Sequence, residues 1–80
     1  MLVYLAGGQV IDASSVIMAI DWSVGKESSD NRELVGYARA HGFLVENDKG
    51  LSSRVLVVTS DNVYLLPGSL RDLARRLNQT

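Results

Sequence analysis

The sequence predicts one α+β domain over residues 1–80, with a mainly antiparallel sheet of about six short strands and two helices in the order β-β-β-α-β-β-β-α. Three observations predict it. Short runs of strand-forming residues are separated by Gly, Asn and Asp turns. Two segments carry apolar residues at the 3.6-residue helical period, each behind a start signal. And the runs Leu2–Leu5, Val16–Ile20 and Val55–Val58 are apolar without alternation, as in strands buried on both faces.

Taken in order, Leu2–Ala6 reads as a strand closed by Gly7-Gly8, which can adopt the positive φ of a hairpin turn. Gln9–Asp12 returns, Ala13-Ser14-Ser15 turns or bulges, and Val16–Ile20 is a third strand ending at Asp21-Trp22. Ser23–Ser29 reads as a loop. Asp30 with Glu33 has capping-box spacing and opens a helix whose predicted buried face is Leu34, Tyr37, Ala38 and His41, stopped by Gly42. Phe43–Glu46 is a short strand, Asn47-Asp48-Lys49-Gly50 a hairpin-type turn, and Leu51–Ser60 holds the most strand-like run, Val55–Thr59. Asp61-Asn62 turns it into Val63–Leu66, which Pro67-Gly68 ends. Ser69 caps the last helix, with Asp72 at the matching position and Leu70, Leu73, Ala74 and Leu77 as its stripe.

Two short helices cover about one face of such a sheet. The other face requires a second layer or a neighbouring subunit. A chain of 80 residues has a thin stability margin, and without cysteine it has neither disulfides nor cysteine-based zinc sites to supplement it. Both arguments lead us to expect a homo-oligomer, most simply a closed ring, because an apolar head-to-tail joint that fails to close polymerises. The apolar start, Met1–Ala6, lacks a basic flank and the length of a signal core, and no run approaches the ~20 residues of a membrane span. A cytoplasmic protein with no membrane association is the expectation.

The net charge of −1, from 8 basic and 9 acidic residues, lacks the basic excess of a dedicated nucleic-acid binder. No catalytic set emerges, and we expect no enzymatic activity, cofactor, metal or small-molecule substrate. The single histidine, His41, sits where a helix ends and suits the dipole there. Asp12 and Asp21 flank the third strand at ordinary solvated positions. Gly7-Gly8 is not followed by the helix and Lys of a phosphate loop. The basic residues are more suggestive: Arg71, Arg75 and Arg76 flank the leucine stripe of the last helix, and Arg54 opens the most apolar strand. They are either a wet helix face or a phosphate contact.

The order and spacing of these segments resemble the bacterial extracellular-matrix regulatory proteins RemA and RemB. The residues that carry the resemblance are Gly8, Val16–Ile20, Glu33-Leu34-Val35 with Ala38-Arg39, and Gly50. They continue through Arg54–Thr59, Asn62-Val63-Tyr64 and Pro67–Ser69 to Arg76-Leu77. Val57–Tyr64 and Asp21-Trp22 look closer to RemB. The resemblance implies a LytTR-like fold and a regulator of biofilm-matrix genes that binds DNA as a ring-shaped homo-oligomer. It also implies DNA-contacting arginines, one just before the third strand and a pair in a Gly-Arg-Arg-Thr-Arg run. Here the first position falls at Ser15 and Val16, and the run reads Gly50-Leu51-Ser52-Ser53-Arg54, keeping only its last arginine. Binding to DNA is therefore expected to be weak and nonspecific, through Arg54, Arg71, Arg75 and Arg76. The alternative is an assembly module that has lost direct DNA contact.

Overall fold

The computed structural model describes residues 1–46 and 53–78. Its chain starts with an antiparallel ribbon, β1 (Leu2–Tyr4) and β2 (Val10–Asp12), with Val3 opposite Ile11. Gly7 and Gly8 take φ of 86° and 83° in a three-residue loop, Ala6-Gly7-Gly8, which the Leu5 N–H closes by donating to the Gln9 carbonyl at 2.7 Å. Asp12 then accepts from the Ser14 N–H and hydroxyl, so that Ala13–Ser15 forms one tight 3₁₀ turn leading into β3 (Val16–Asp21).

A second sheet has the order β3-β5-β6-β4, with β4 Leu44–Glu46, β5 Val55–Thr59 and β6 Val63–Leu66. β5 pairs antiparallel with β3 and β6, whereas β4 lies parallel to β6, Leu44 opposite Val63. The hairpin expected between β4 and β5 is thus corrected. Both edges of β5 are occupied by β3 and β6, so β4 takes the free edge of β6; the turn Asn47–Gly50 itself lies outside the described residues.

Of the three unbroken apolar runs, Leu2–Leu5 is corrected: it lies in the ribbon and alternates, with Val3 and Leu5 buried and Leu2 and Tyr4 exposed. The other two, Val16–Ile20 and Val55–Val58, are explained by two cores, one on each face of the second sheet. On one face, α2 (Ser29–Ala40) packs Val35 and Ala38 on Leu56, Val63 and Leu65. On the other, the ribbon and α3 (Leu70–Leu77) pack Val3, Leu5, Ile11 and Leu73 on Val55, Val57, Tyr64 and Leu66. The second layer that the sheet requires is therefore the chain's own ribbon. In β3 the register steps from Val16↔Thr59 to Met18↔Val58, so Ile17 is an extra, exposed residue. This bulge lets Val16 and Ala19 face the ribbon side while Met18 and Ile20 face α2.

The helices depart from expectation at their starts. Residues read as loop begin with a helical turn, α1 (Trp22–Gly25), because Asp21 accepts from both the N–H and hydroxyl of Ser23. Ser28 is the N-cap of α2, without a side-chain cap bond, and Asp30 lies inside the first turn rather than capping it. There its carboxylate meets the positive end of the helix dipole. Anchoring comes from Asn31 and Arg32, whose side chains donate to the carbonyls of Gly25 and Lys26. The buried stripe is Val35 and Ala38, so Tyr37 and His41, assigned to the core side, are exposed. Gly42 stops the helix at φ 79° as expected, with Phe43 N–H donating to the Ala38 carbonyl at 2.8 Å. Ser69 caps α3 by accepting from the Asp72 N–H at 3.0 Å.

Candidate nucleic-acid interface

Backbone bonds on both sides position Arg54. Its N–H donates to the Leu66 carbonyl and its carbonyl accepts from the Trp22 N–H, which ties the start of β5 to β6 and to α1. Its exposed side chain borders a shallow cleft shared with Asp21, Ser23, Gly68, Ser69 and Leu70 at the start of α3. Arg71, the second residue of α3, is exposed and has no ion-pair partner among the described residues. Sequence-distant Arg54 and Arg71 are thereby both placed at the opening of α3. The Ser23 hydroxyl and N–H hold the Asp21 carboxyl below its ordinary value, with Arg54's charge adding a smaller effect. That persistent carboxylate offsets part of the positive potential.

The other two arginines are differently employed. Asp72 takes both Arg75 and Arg76, the latter with Nε 3.1 Å from Oδ2. Arg76 also donates to the Tyr4 carbonyl at 2.8 Å, fastening α3 to β1. Helix-start spacing marks Asp72 only as a cap partner, so this neutralising role goes beyond the expectation. An acid three residues before one arginine and four before the next is the signal that could have found it.

Ser15 lies at the far end of the sheet from Arg54. Val16 pairs with Thr59 and Asp21 with Val55, so the length of β5 intervenes, roughly 15 Å at strand rise. The Ser15 hydroxyl donates to the Asp12 carbonyl at 2.6 Å, and the surrounding surface carries Asp12 and Asp61. The Asp12 carboxyl falls to about 2, first through the Met1 ammonium and then through Ser14's N–H and hydroxyl. Acidic surroundings oppose phosphate at this position. Leu51 and Ser52 lie outside the described residues.

The carboxylates Asp12 and Asp21 stand at opposite ends of β3 and form no acid–base pair. His41 caps the end of α2, with Nδ1 2.9 Å from the Tyr37 carbonyl and its ring stacked on Tyr37 at 3.9 Å. Among the described residues, no three His, Asp or Glu side chains converge on a metal-sized site, and no helix is long and apolar enough to cross a membrane.

A family model for RemA-like proteins, described as extracellular matrix regulatory protein A-like, matches residues 2–77. The chain belongs to this family. No curated protein matches it. In this RemA-like chain, Arg54 borders the cleft at the start of α3 and Arg71 follows Leu70 in that helix, while the position at Ser15 sits apart in acidic surroundings.

Proposed function

We propose that the protein is a cytoplasmic, non-enzymatic regulator of extracellular-matrix gene expression that acts as a homo-oligomer and touches DNA weakly through Arg54 and Arg71. The family match over residues 2–77 carries this reading. Support for self-association comes from the outer face of the ribbon, where Leu2 and Tyr4 are 69% and 73% exposed beside Val10. Apolar side chains concentrated on one outward face favour a protein neighbour. Within the family, Val57–Tyr64 and Asp21-Trp22 favour a chain nearer RemB, and we take its oligomer to be a closed ring of LytTR-like subunits acting on biofilm-matrix genes.

A second reading, an assembly module without DNA contact, is favoured by a specific observation: Asp72 occupies Arg75 and Arg76, and Asp12 and Asp61 surround Ser15. Deleting the gene and restoring it as wild type or as Arg54→Ala/Arg71→Ala separates the two. Matrix-gene transcripts should change on deletion and be restored only by the wild type. Full restoration by the double variant supports the assembly reading, and unchanged transcripts on deletion contradict a regulatory role.

A further inference from the structure

Among the described residues, two groups of exposed apolar side chains lie on opposite sides of the central sheet. The first is the ribbon's outer face, where Met1, Leu2 and Tyr4 border Arg76. The adjoining α3 sets Arg75 and Arg76 against the single carboxylate Asp72, which leaves this edge net positive; Arg71 adds to it. The second is a groove between α2 and the β5–β6 turn. Its floor is Leu34, Ala38 and Val63, and its wall is Tyr37 and Phe43, 59% and 46% exposed. Asp61 lies on its rim, and Glu33 stands one helical turn before Tyr37. Neither acid has an ion-pair partner among the described residues.

An apolar face with a basic margin and an apolar groove with an acidic margin are complementary, and one chain presents both. We propose that the groove of one copy receives the ribbon face of the next, with Tyr4 and Leu2 packed against Tyr37 and Phe43 and with Arg75 and Arg76 near Asp61 and Glu33. The inference rests on the homo-oligomer reading above and names its joint. The two halves are different surfaces, so the contact is head-to-tail: each copy uses its ribbon on one side and its groove on the other. A two-fold contact of ribbon on ribbon would bring like-charged arginine margins together, which the head-to-tail contact avoids.

Mixing two variants tests this. Tyr4→Glu spoils the ribbon and leaves the groove; Tyr37→Glu spoils the groove and leaves the ribbon. Both sites are exposed, and circular dichroism verifies the fold, with Leu2→Ser and Phe43→Ser as a second pair. By light scattering the wild type should exceed a dimer, and each variant alone should be a monomer, its dissociation constant raised roughly 30-fold or more. Mixed in equal amounts, they should form a one-to-one dimer and nothing larger, because one intact joint remains. A mixture that stays monomeric overturns the head-to-tail joint. Variants as large as the wild type overturn the joint and leave self-association standing. A wild type that is itself monomeric at about 100 μM overturns both.

Discussion

Replacing Arg76 with Ala should loosen the fold, whereas replacing its neighbour in the candidate interface, Arg71, should not. Arg76 donates to the Tyr4 carbonyl at 2.8 Å and lies 3.1 Å from Asp72, with its side chain 40% exposed. A hydrogen bond from a charged donor contributes about 1.5–3 kcal/mol when buried, and solvent at this exposure reduces that to about 1 kcal/mol. The exposed ion pair adds about 0–1 kcal/mol. The Arg76→Ala loss is then about 1–2 kcal/mol, a fall in Tm of about 4–16 °C for a domain of this size. Arg71→Ala breaks no ion pair among the described residues and should stay within about 0.5 kcal/mol of wild type. Scanning calorimetry at low and high salt reads both, and high salt should shrink only the ion-pair share of the Arg76 effect. Equal Tm values for the two variants would refute the assignment of Arg76 to the fold and return it to the DNA face.

Thr59→Val is isosteric but removes the hydroxyl that accepts from the Asp61 and Asn62 N–H groups and donates to the Asn62 carbonyl; at this 7%-exposed site the cost should be about 2 kcal/mol, read by urea unfolding. The Asp12 carboxyl, at about 2 in the fold against an ordinary value of 3.8, contributes stability that is complete above the unfolded value and is lost as pH falls from about 4 towards 2. Asp12→Asn should therefore show a smaller drop in Tm between pH 6 and pH 2.5 than wild type, and an equal drop would contradict the pairing with Met1 and Ser14. Restoring arginine with Ser15→Arg, Leu51→Arg and Ser52→Arg should raise DNA affinity and steepen its salt dependence together, by about 0.9 in slope per added phosphate contact. An inert triple variant with its assembly intact favours the partner-binding reading.

Local chemistry made much of the fold legible. The glycine pair at Gly7-Gly8, the stop at Gly42 and the cap at Ser69 are decided by residues close in sequence, and they appear where expected. The apolar runs Val16–Ile20 and Val55–Val58 correctly indicated a sheet covered on both faces, whereas Leu2–Leu5 belongs to the ribbon that forms part of the second cover and leaves Leu2 and Tyr4 exposed. Pairing was the least legible level. A turn-like Asn47–Gly50 suggests a neighbour in sequence, while the edge of β6 decides where β4 goes. Ala38 was placed correctly on the buried α2 face, but Tyr37 and His41 fit the period nearly as well as Val35, and only packing on Leu56 and Val63 selects between them. At the candidate interface, the arginines were visible but their partners were not, since Arg76 meets a carbonyl in the first strand.

The proposed weak DNA contact by Arg54 and Arg71 is tested by the salt dependence of binding between the full chain and a matrix-gene promoter fragment, measured beside unrelated DNA of equal length. With few phosphates met by each subunit, the wild type should bind both fragments with micromolar or weaker affinity near 0.15 M salt. The slope of log K against log salt should fall by about 0.9 for each phosphate no longer neutralised when Arg54 or Arg71 is replaced by Ala, and should stay unchanged when Arg75 is replaced. Nanomolar, promoter-selective binding that survives the replacement of both Arg54 and Arg71 would contradict this assignment of the DNA face.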